Sequence, residues 1–511
     1  MAFSYLKQIL IYIILIQKFN VIFSNYICIP FKIYENDVSN DIDKFENDYI
    51  LNNIYIQLQV SQPSQNIIAK INSLDYELLM KKVKELPYNN LNSIFSQESS
   101  SSFSIISSKT DYSNSANSKF VKDNFNLCNN YDVDNKKCVN MQNYNNINFV
   151  YFEQNIYDEE GNLVEVEKKY TYIEIGLNIK SHYRSNDGKY SILNELKENK
   201  YISNNIWFIH YFKKLNNNNN ENSNNNNNIK IGDDEGIIVF GEDPTNFFGN
   251  KYNKDDILSC QGVNKKYDYR NYWSIVFQEL KQKSMKNDNN KDVIIQNDLQ
   301  GVINHNYNVI VGNKHYMDTI ETTFFWEYVT KGVCHKKLAN NKFYYYSCNT
   351  YFLTLKKIKE SFPSLYFKQN ELGYTFELTP QDLFVQIGDR IFFLIVFYKN
   401  NPTASFILGK IFLQKYFFSF DNDSKKIFFY KENNNSTIGN MENIHVNLHW
   451  YNSNKFIATL IILIFIFCLV GFYIGRRVYK RRRRNANELD EDFDYISDNK
   501  KKKEFDMKIL N

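Results

Sequence analysis

Glycine and proline are scarce in this 511-residue chain, at 17 and 7 residues, which excludes collagen-like and Pro/Gly-rich low-complexity architectures. Net charge is also small: 61 Lys+Arg against 57 Asp+Glu leave +4, and much of that excess lies near the C-terminus. The rest of the chain therefore carries no broad cationic field, and no nucleic-acid partner is expected. No CxxC pair occurs, so neither a thioredoxin-type redox site nor a zinc ribbon is signalled. A Gly-rich phosphate loop, a GxSxG elbow and a Cys/His nucleophile setting are likewise missing. His445 and His449 have the spacing of a metal-binding helix face, but no Glu accompanies them. No metal or other cofactor is expected.

What the chain does contain is apolar and aromatic bulk. Hydrophobic residues make up 43% and aromatics 16%, a mixture rich in Ile, Phe and Tyr that suits a large β-type core. Runs such as Ile54–Val60, Tyr170–Ile175 and Ile391–Tyr398 are β-branched and aromatic, are bounded by turn-forming residues and predict strands. Helical signals are few and short. The Asn-rich run 216–228 cannot bury apolar area and is expected to be a surface insertion.

The two ends carry targeting signals. Residues 456–475 contain no charge and are long enough to cross a hydrocarbon core of about 30 Å as one helix. Arg476, Arg477, Lys480 and Arg481–Arg484 follow at once, which places the C-terminal tail in the cytoplasm. At the N-terminus, Lys7, the apolar run Ile9–Ile16 and small Ser24 follow the order of a signal peptide. The expected organisation is a signal peptide (1–24), an N-terminal segment (25–48), two lobes (49–262 and 263–432), a stalk (433–455), a transmembrane helix (456–475) and a basic tail (476–511). Such a chain would sit at the cell surface or in an endolysosomal membrane with its ectodomain outside the cytoplasm. Sequons at Asn422, Asn434 and Asn435 suggest a glycoprotein.

Of seven cysteines, Cys468 falls in the expected span, leaving Cys28, Cys128, Cys138, Cys260, Cys334 and Cys348 outside. An even number in an oxidising compartment suggests disulfides. Proximity favours Cys128 with Cys138 and Cys334 with Cys348, leaving Cys28 and Cys260 as a long-range pair. All other pairings stay formally open.

Phe406–Asp421 (FILGKIFLQKYFFSFD), followed by Lys426–Tyr430 (KIFFY), resembles the closing signature of pepsin-like (A1 family) aspartic proteases. Cys334, Cys348, Phe362–Phe367 and Thr379–Leu383 resemble the second-lobe disulfide and the strands after it. In the first half, Val60–Gln65 (VSQPSQ) resembles the turn before the first catalytic loop, and Gly236–Gly241 (GIIVFG) the strand that pairs with that loop. The resemblance implies a mainly β, bilobal fold with pseudo-twofold lobes and a central cleft, plus the C-terminal transmembrane helix.

Peptide hydrolysis in this family uses two carboxylates, one per lobe, that share a proton. Counted onward from the turn, the first catalytic position falls on Asn72, and the motif glycine on Leu74. In the second lobe, Val309–Tyr316 (VIVGNKHY) resembles the other catalytic segment and places Gly312 at its aspartate position. A carboxamide cannot take a proton from water near neutral pH. A competing register offers Asp75 and, within Met317–Thr323, Asp318. Phe149–Leu163 occupies the place of the flap hairpin without a Tyr-Gly-x-Gly string, leaving Tyr151 or Phe152 as counterparts.

The reading these residues favour is a membrane-anchored, aspartic-protease-like pseudoenzyme that binds an extended peptide or protein segment in its cleft. The alternatives are an active endopeptidase using Asp75 and Asp318, and a structural surface protein.

Overall fold

The computed structural model describes residues 26–33, 50–51, 54–75, 77–83, 95–107, 118–153, 156–157, 163–164, 170–178, 191–212, 235–262, 272–282, 293–339, 341–400, 405–431 and 474–480. The first half supplies strands β1 (Ile27–Ile33), β2 (Ile54–Val60), β3 (Gln65–Asn72), β4 (Leu78–Val83), β5 (Ser104–Ser107), β6 (Ser118–Asp132), β7 (Lys137–Glu153), β8 (Ile156–Tyr157), β9 (Leu163–Val164), β10 (Tyr170–Gly176), β11 (Ile206–Tyr211), β12 (Glu235–Phe240) and β13 (Leu258–Gln261). The second supplies β14 (Ser274–Gln282), β15 (Val293–Ile303), β16 (Ile310–Gly312), β17 (Cys334–Ala339), β18 (Phe343–Asn349), β19 (Leu365–Gln369), β20 (Tyr374–Leu378), β21 (Phe384–Ile387), β22 (Arg390–Phe393), β23 (Ile395–Tyr398), β24 (Phe406–Leu408), β25 (Phe417–Asp421) and β26 (Lys426–Tyr430).

Two large sheets result, one of thirteen strands in the order β13-β26-β25-β11-β12-β1-β2-β3-β10-β4-β7-β6-β5, and one of eleven built on β14–β24. Alternation of side chains marks strands with one face toward solvent: in β2, Gln57 and Gln59 are exposed while Ile54, Ile56, Leu58 and Val60 are buried. β12 pairs with β1 and β11 and is buried along Gly236–Phe240 because its two faces enter different apolar clusters, Ile238 and Phe240 in one, Ile237 and Val239 in the other.

Three features matter for function. The chain returns at its end to the first sheet, where β25 pairs with β11 and stitches the two halves together. Trp207 stacks on Phe420 at 4.3 Å and meets Trp273 edge-on at 6.4 Å, so aromatic rings fill that junction. Each half also contains two parallel pairs, β3 with β10 and β4 with β7 in the first, β15 with β24 and β16 with β23 in the second, and β3–β10 and β15–β24 set the positions of two loops described below.

Several expectations change here. GIIVFG is most of β12 and pairs with β1 and β11; the strand parallel to β3 is β10. The two runs are equally apolar, and only the pairing tells them apart. Phe149–Glu153 closes β7, held between β6 and β4, and so is not a free hairpin; Tyr151 is buried there. Cys128–Cys138 and Cys334–Cys348 are bonded as proximity suggested. Cys28 and Cys260 do not pair: both are buried free thiols that belong to different apolar clusters.

The compact unit Met1–Ile444 contains both sheets, and His445–Asn511 forms a separate unit. Residues 474–480 are helical. Among the described residues no helix is long and apolar enough to cross a membrane. The expected signal peptide, the Asn-rich run, the stalk, Asn434, Asn435 and most of the expected span lie outside the described residues. Asn422 is half-buried, its side-chain oxygen accepting from the Trp207 indole at 3.3 Å.

Glu195, on the helix Ile192–Glu198, is buried and accepts from the backbone and side-chain N–H groups of Asn148 in β7. Burial, only partly offset by those bonds, pushes its carboxyl up to about 7. A carboxyl raised on folding binds more protons folded than unfolded, so its contribution is full below its ordinary range and is lost as pH rises through about 7. In urea unfolding, the wild type should therefore gain stability relative to Glu195→Gln when pH falls from 7.5 to 5, by at most about 3 kcal/mol; an unchanged difference would refute the burial effect. Alkylation mapping should label Cys28 and Cys260 on unfolding without reductant, and Cys128, Cys138, Cys334 and Cys348 only after reduction.

Candidate functional site

β3 ends at Asn72, where the chain must leave its parallel partner β10. The side-chain oxygen of Asn72 accepts from the Leu74 N–H at 3.1 Å, a local turn that Asn makes readily. The segment after β10 fastens this loop from the other side. Leu177 N–H donates to the Asn72 carbonyl at 3.1 Å, Asn178 N–H to the Asp75 carbonyl at 2.8 Å, and the Asn178 carboxamide to the Leu74 carbonyl at 3.1 Å. Leu74 does not take the left-handed backbone that would call for glycine, and its side chain is 41% exposed.

The second half repeats this arrangement. β15 ends at Ile303, opposite Leu408 of β24, and Asn304 N–H donates to the Leu408 carbonyl at 3.1 Å. The Asn304 side-chain oxygen accepts from the Asn306 N–H at 2.9 Å. Gly409 follows β24 where the backbone comes closest: a Cβ there would lie 2.1 Å from the Val309 carbonyl oxygen and 2.6 Å from that of Tyr307. Only glycine fits that position.

The two loops interlock. His305 N–H donates to the Ser73 hydroxyl at 3.1 Å, Ser73 N–H donates to the Asn306 side-chain oxygen at 3.0 Å, and the Asn306 carboxamide donates to the Ile71 carbonyl at 2.6 Å. Beneath them the His305 imidazole is buried, with Nδ1 3.0 Å from the Tyr211 hydroxyl. Burial drives its pKa down to about 3, so it is neutral across the physiological range.

The residues singled out in the sequence fare differently. Asn72 lies in the interlocked pair. Gly312 does not: it ends β16 within the second sheet, where an added Cβ would meet the Phe397 ring at 2.8 Å. Its glycine serves close packing, and the residue that mirrors Asn72 is Asn304. The β-branched run Val309–Val311 looks like the lead into a catalytic loop, which is why the sequence points eight residues too far along. The repeated Ile-Asn pair, Ile71-Asn72 and Ile303-Asn304, is the signal that could have corrected it.

Asp75 is half-buried in the first loop. Asp318 is exposed on the helix Lys314–Ile320, whose buried face is Tyr316, Met317 and Ile320, and its charge acts on Tyr346 of the same half. Neither carboxylate takes part in the hydrogen bonds that join Ser73, His305, Asn306 and Ile71. Among the described residues no group of three or more His, Cys, Asp and Glu could hold a metal ion. A cavity of about 330 Å³ lies elsewhere, between Phe31, Tyr55, Tyr131, Lys32, Lys136 and Glu235.

Residues 177–431 match the family model of eukaryotic aspartyl proteases. Among solved structures, the chain is similar to conglutin gamma, a basic 7S globulin from lupine seeds, at 12% identity and a TM-score of 0.50, covering 80% of this chain and 95% of that one. It is also similar to basic 7S globulin from soybean, at 11% identity and a TM-score of 0.48, with the same coverage. At such identity the lupine likeness is one of fold. No curated protein sequence matches the chain.

Asn306 bridges the loops with both ends of its carboxamide. Asn306→Ala should lower unfolding stability by about 1–3 kcal/mol, because the Ser73 N–H and the Ile71 carbonyl lose their partner. Chemical denaturation measures this, and a loss below about 0.5 kcal/mol would mean that solvent replaces both bonds.

Proposed function

We propose that this chain is a membrane-anchored protein of pepsin-like fold that binds an extended peptide or protein segment between its lobes and does not cut it. The observation that carries this reading is the pair Asn72 and Asn304, which stand at mirrored strand ends in the interlocked loops. Two-carboxylate hydrolysis needs one group to take a proton from water and another to give one to the leaving amide. Carboxamides do neither near neutral pH. His305 cannot substitute as the base, since it is buried, holds the Tyr211 hydroxyl and titrates near 3. Asp75 and Asp318 gain no support as a pair, because Asp318 lies on the exposed side of a helix beside Tyr346.

The scaffold around these positions is retained, including the Gly409 close approach and the Cys334–Cys348 bridge. A pepsin-like shape without proton-transfer groups favours binding over chemistry. Support for the anchor comes from the uncharged run 456–475 and the cationic cluster after it.

Incubation of the purified protein with an unfolded protein substrate from pH 3 to 7 should give no cleavage that a statine inhibitor suppresses. Such cleavage, lost in Asp318→Asn, would restore the endopeptidase. In a random decapeptide pull-down, enrichment above an unrelated ectodomain is expected. Its absence would leave a structural surface protein.

A further inference from the structure

We propose that the floor of the cleft is a hydrogen-bond donor site, in which the side-chain nitrogens of Asn72 and Asn304 take a main-chain carbonyl oxygen of the bound peptide. The inference rests on the cleft-binding reading and specifies the chemistry of that site.

The orientation of both carboxamides is set by their neighbours. Asn72 accepts from the Leu74 N–H and Asn304 from the Asn306 N–H, so the bonded atom in each must be the oxygen. The nitrogens are then the free ends. Among the described residues neither makes a hydrogen bond, although the Asn304 side chain is only 1% exposed. Both nitrogens are therefore donors open to an acceptor that a ligand brings.

The loops favour a carbonyl over a carboxylate, because no cation takes part in the bonds that join them and the imidazole beneath them is neutral. A peptide carbonyl is a neutral acceptor with two lone pairs, one for each amide. A pair of carboxylates presents the opposite polarity, and its occupancy changes with pH; a carboxamide pair has no titration of its own.

The test uses the full-length protein and an N-acetylated, C-amidated decapeptide recovered from the library, with affinity read by calorimetry. Wild-type Kd should change less than about 3-fold between pH 4.5 and 7, and one carbonyl-to-thiocarbonyl replacement along the peptide should weaken binding by about 10-fold, since sulfur is the poorer acceptor. Asn72→Asp/Asn304→Asp should weaken binding by at least about 10-fold at pH 7, where an ionised carboxylate repels a carbonyl, and recover in part at pH 4.5. Thiocarbonyl scanning on the wild type keeps the proposal testable if that variant fails to fold. Tight binding with no sensitive position would overturn the donor floor and leave the cleft-binding reading standing, as would preference for a free C-terminal carboxylate. Failure to recover any peptide would remove both.

Discussion

The bond from the His305 N–H to the Ser73 hydroxyl, with the return pair through Asn306, joins the two halves through their facing loops. Ser73 sits one residue, and His305 and Asn306 two and three residues, beyond a strand that runs parallel to its neighbour, so the bonds form only if both parallel pairs are in register. A shift of one residue in either pair would turn Asn72 or Asn304 to the opposite face. The register is held from below by buried aromatic rings. Trp273 donates its indole N–H to the Leu177 carbonyl at 3.0 Å, and Trp207, Phe420 and Tyr211 pack around His305. Geometry at the floor is thus a property of the core beneath it, where the His305 imidazole is held neutral by burial.

That independence explains how the arrangement persists without acids. Two carboxylates set close together resist joint ionisation and hold a proton between them at an electrostatic cost. Carboxamides of nearly the same shape remove the repulsion and keep the turn-forming oxygen that accepts from the residue two positions on. Leu74 fits the same account: its carbonyl is held by Asn178 while its side chain extends into solvent.

Much of the architecture was legible in the sequence, and the reasons are local. Alternating strands such as β2, the near-neighbour cysteines and the Leu408-Gly409 turn all declare themselves over a few residues. The apolar runs were harder. β10, β12 and β16 are similar in composition, and their roles follow from which strands they join, which no short window contains. Hence GIIVFG was assigned to the wrong neighbour, and Gly312 was given a place that Asn304 holds. The candidate site was half legible: the count from VSQPSQ reached Asn72 without a gap, whereas His305 and Asn306 matter through contacts with residues more than two hundred positions away. Cys28 and Cys260 show the same limit, since parity in the number of cysteines says nothing about whether two buried thiols share a cluster.

Two carboxamides are also what electrostatics favours over one carboxamide and one acid. A single Asp in place of Asn304 would be an almost fully buried carboxyl above a neutral imidazole, with no cation in the bonds that surround it. Burial would push its pKa up, so the group would spend its time protonated or would weaken the loop when ionised. A lone acid of this kind offers neither the shared proton of a dyad nor the pH independence of a carboxamide pair. Once one position has become Asn, a second Asn relieves the remaining acid and completes a floor whose hydrogen-bonding polarity no longer depends on pH.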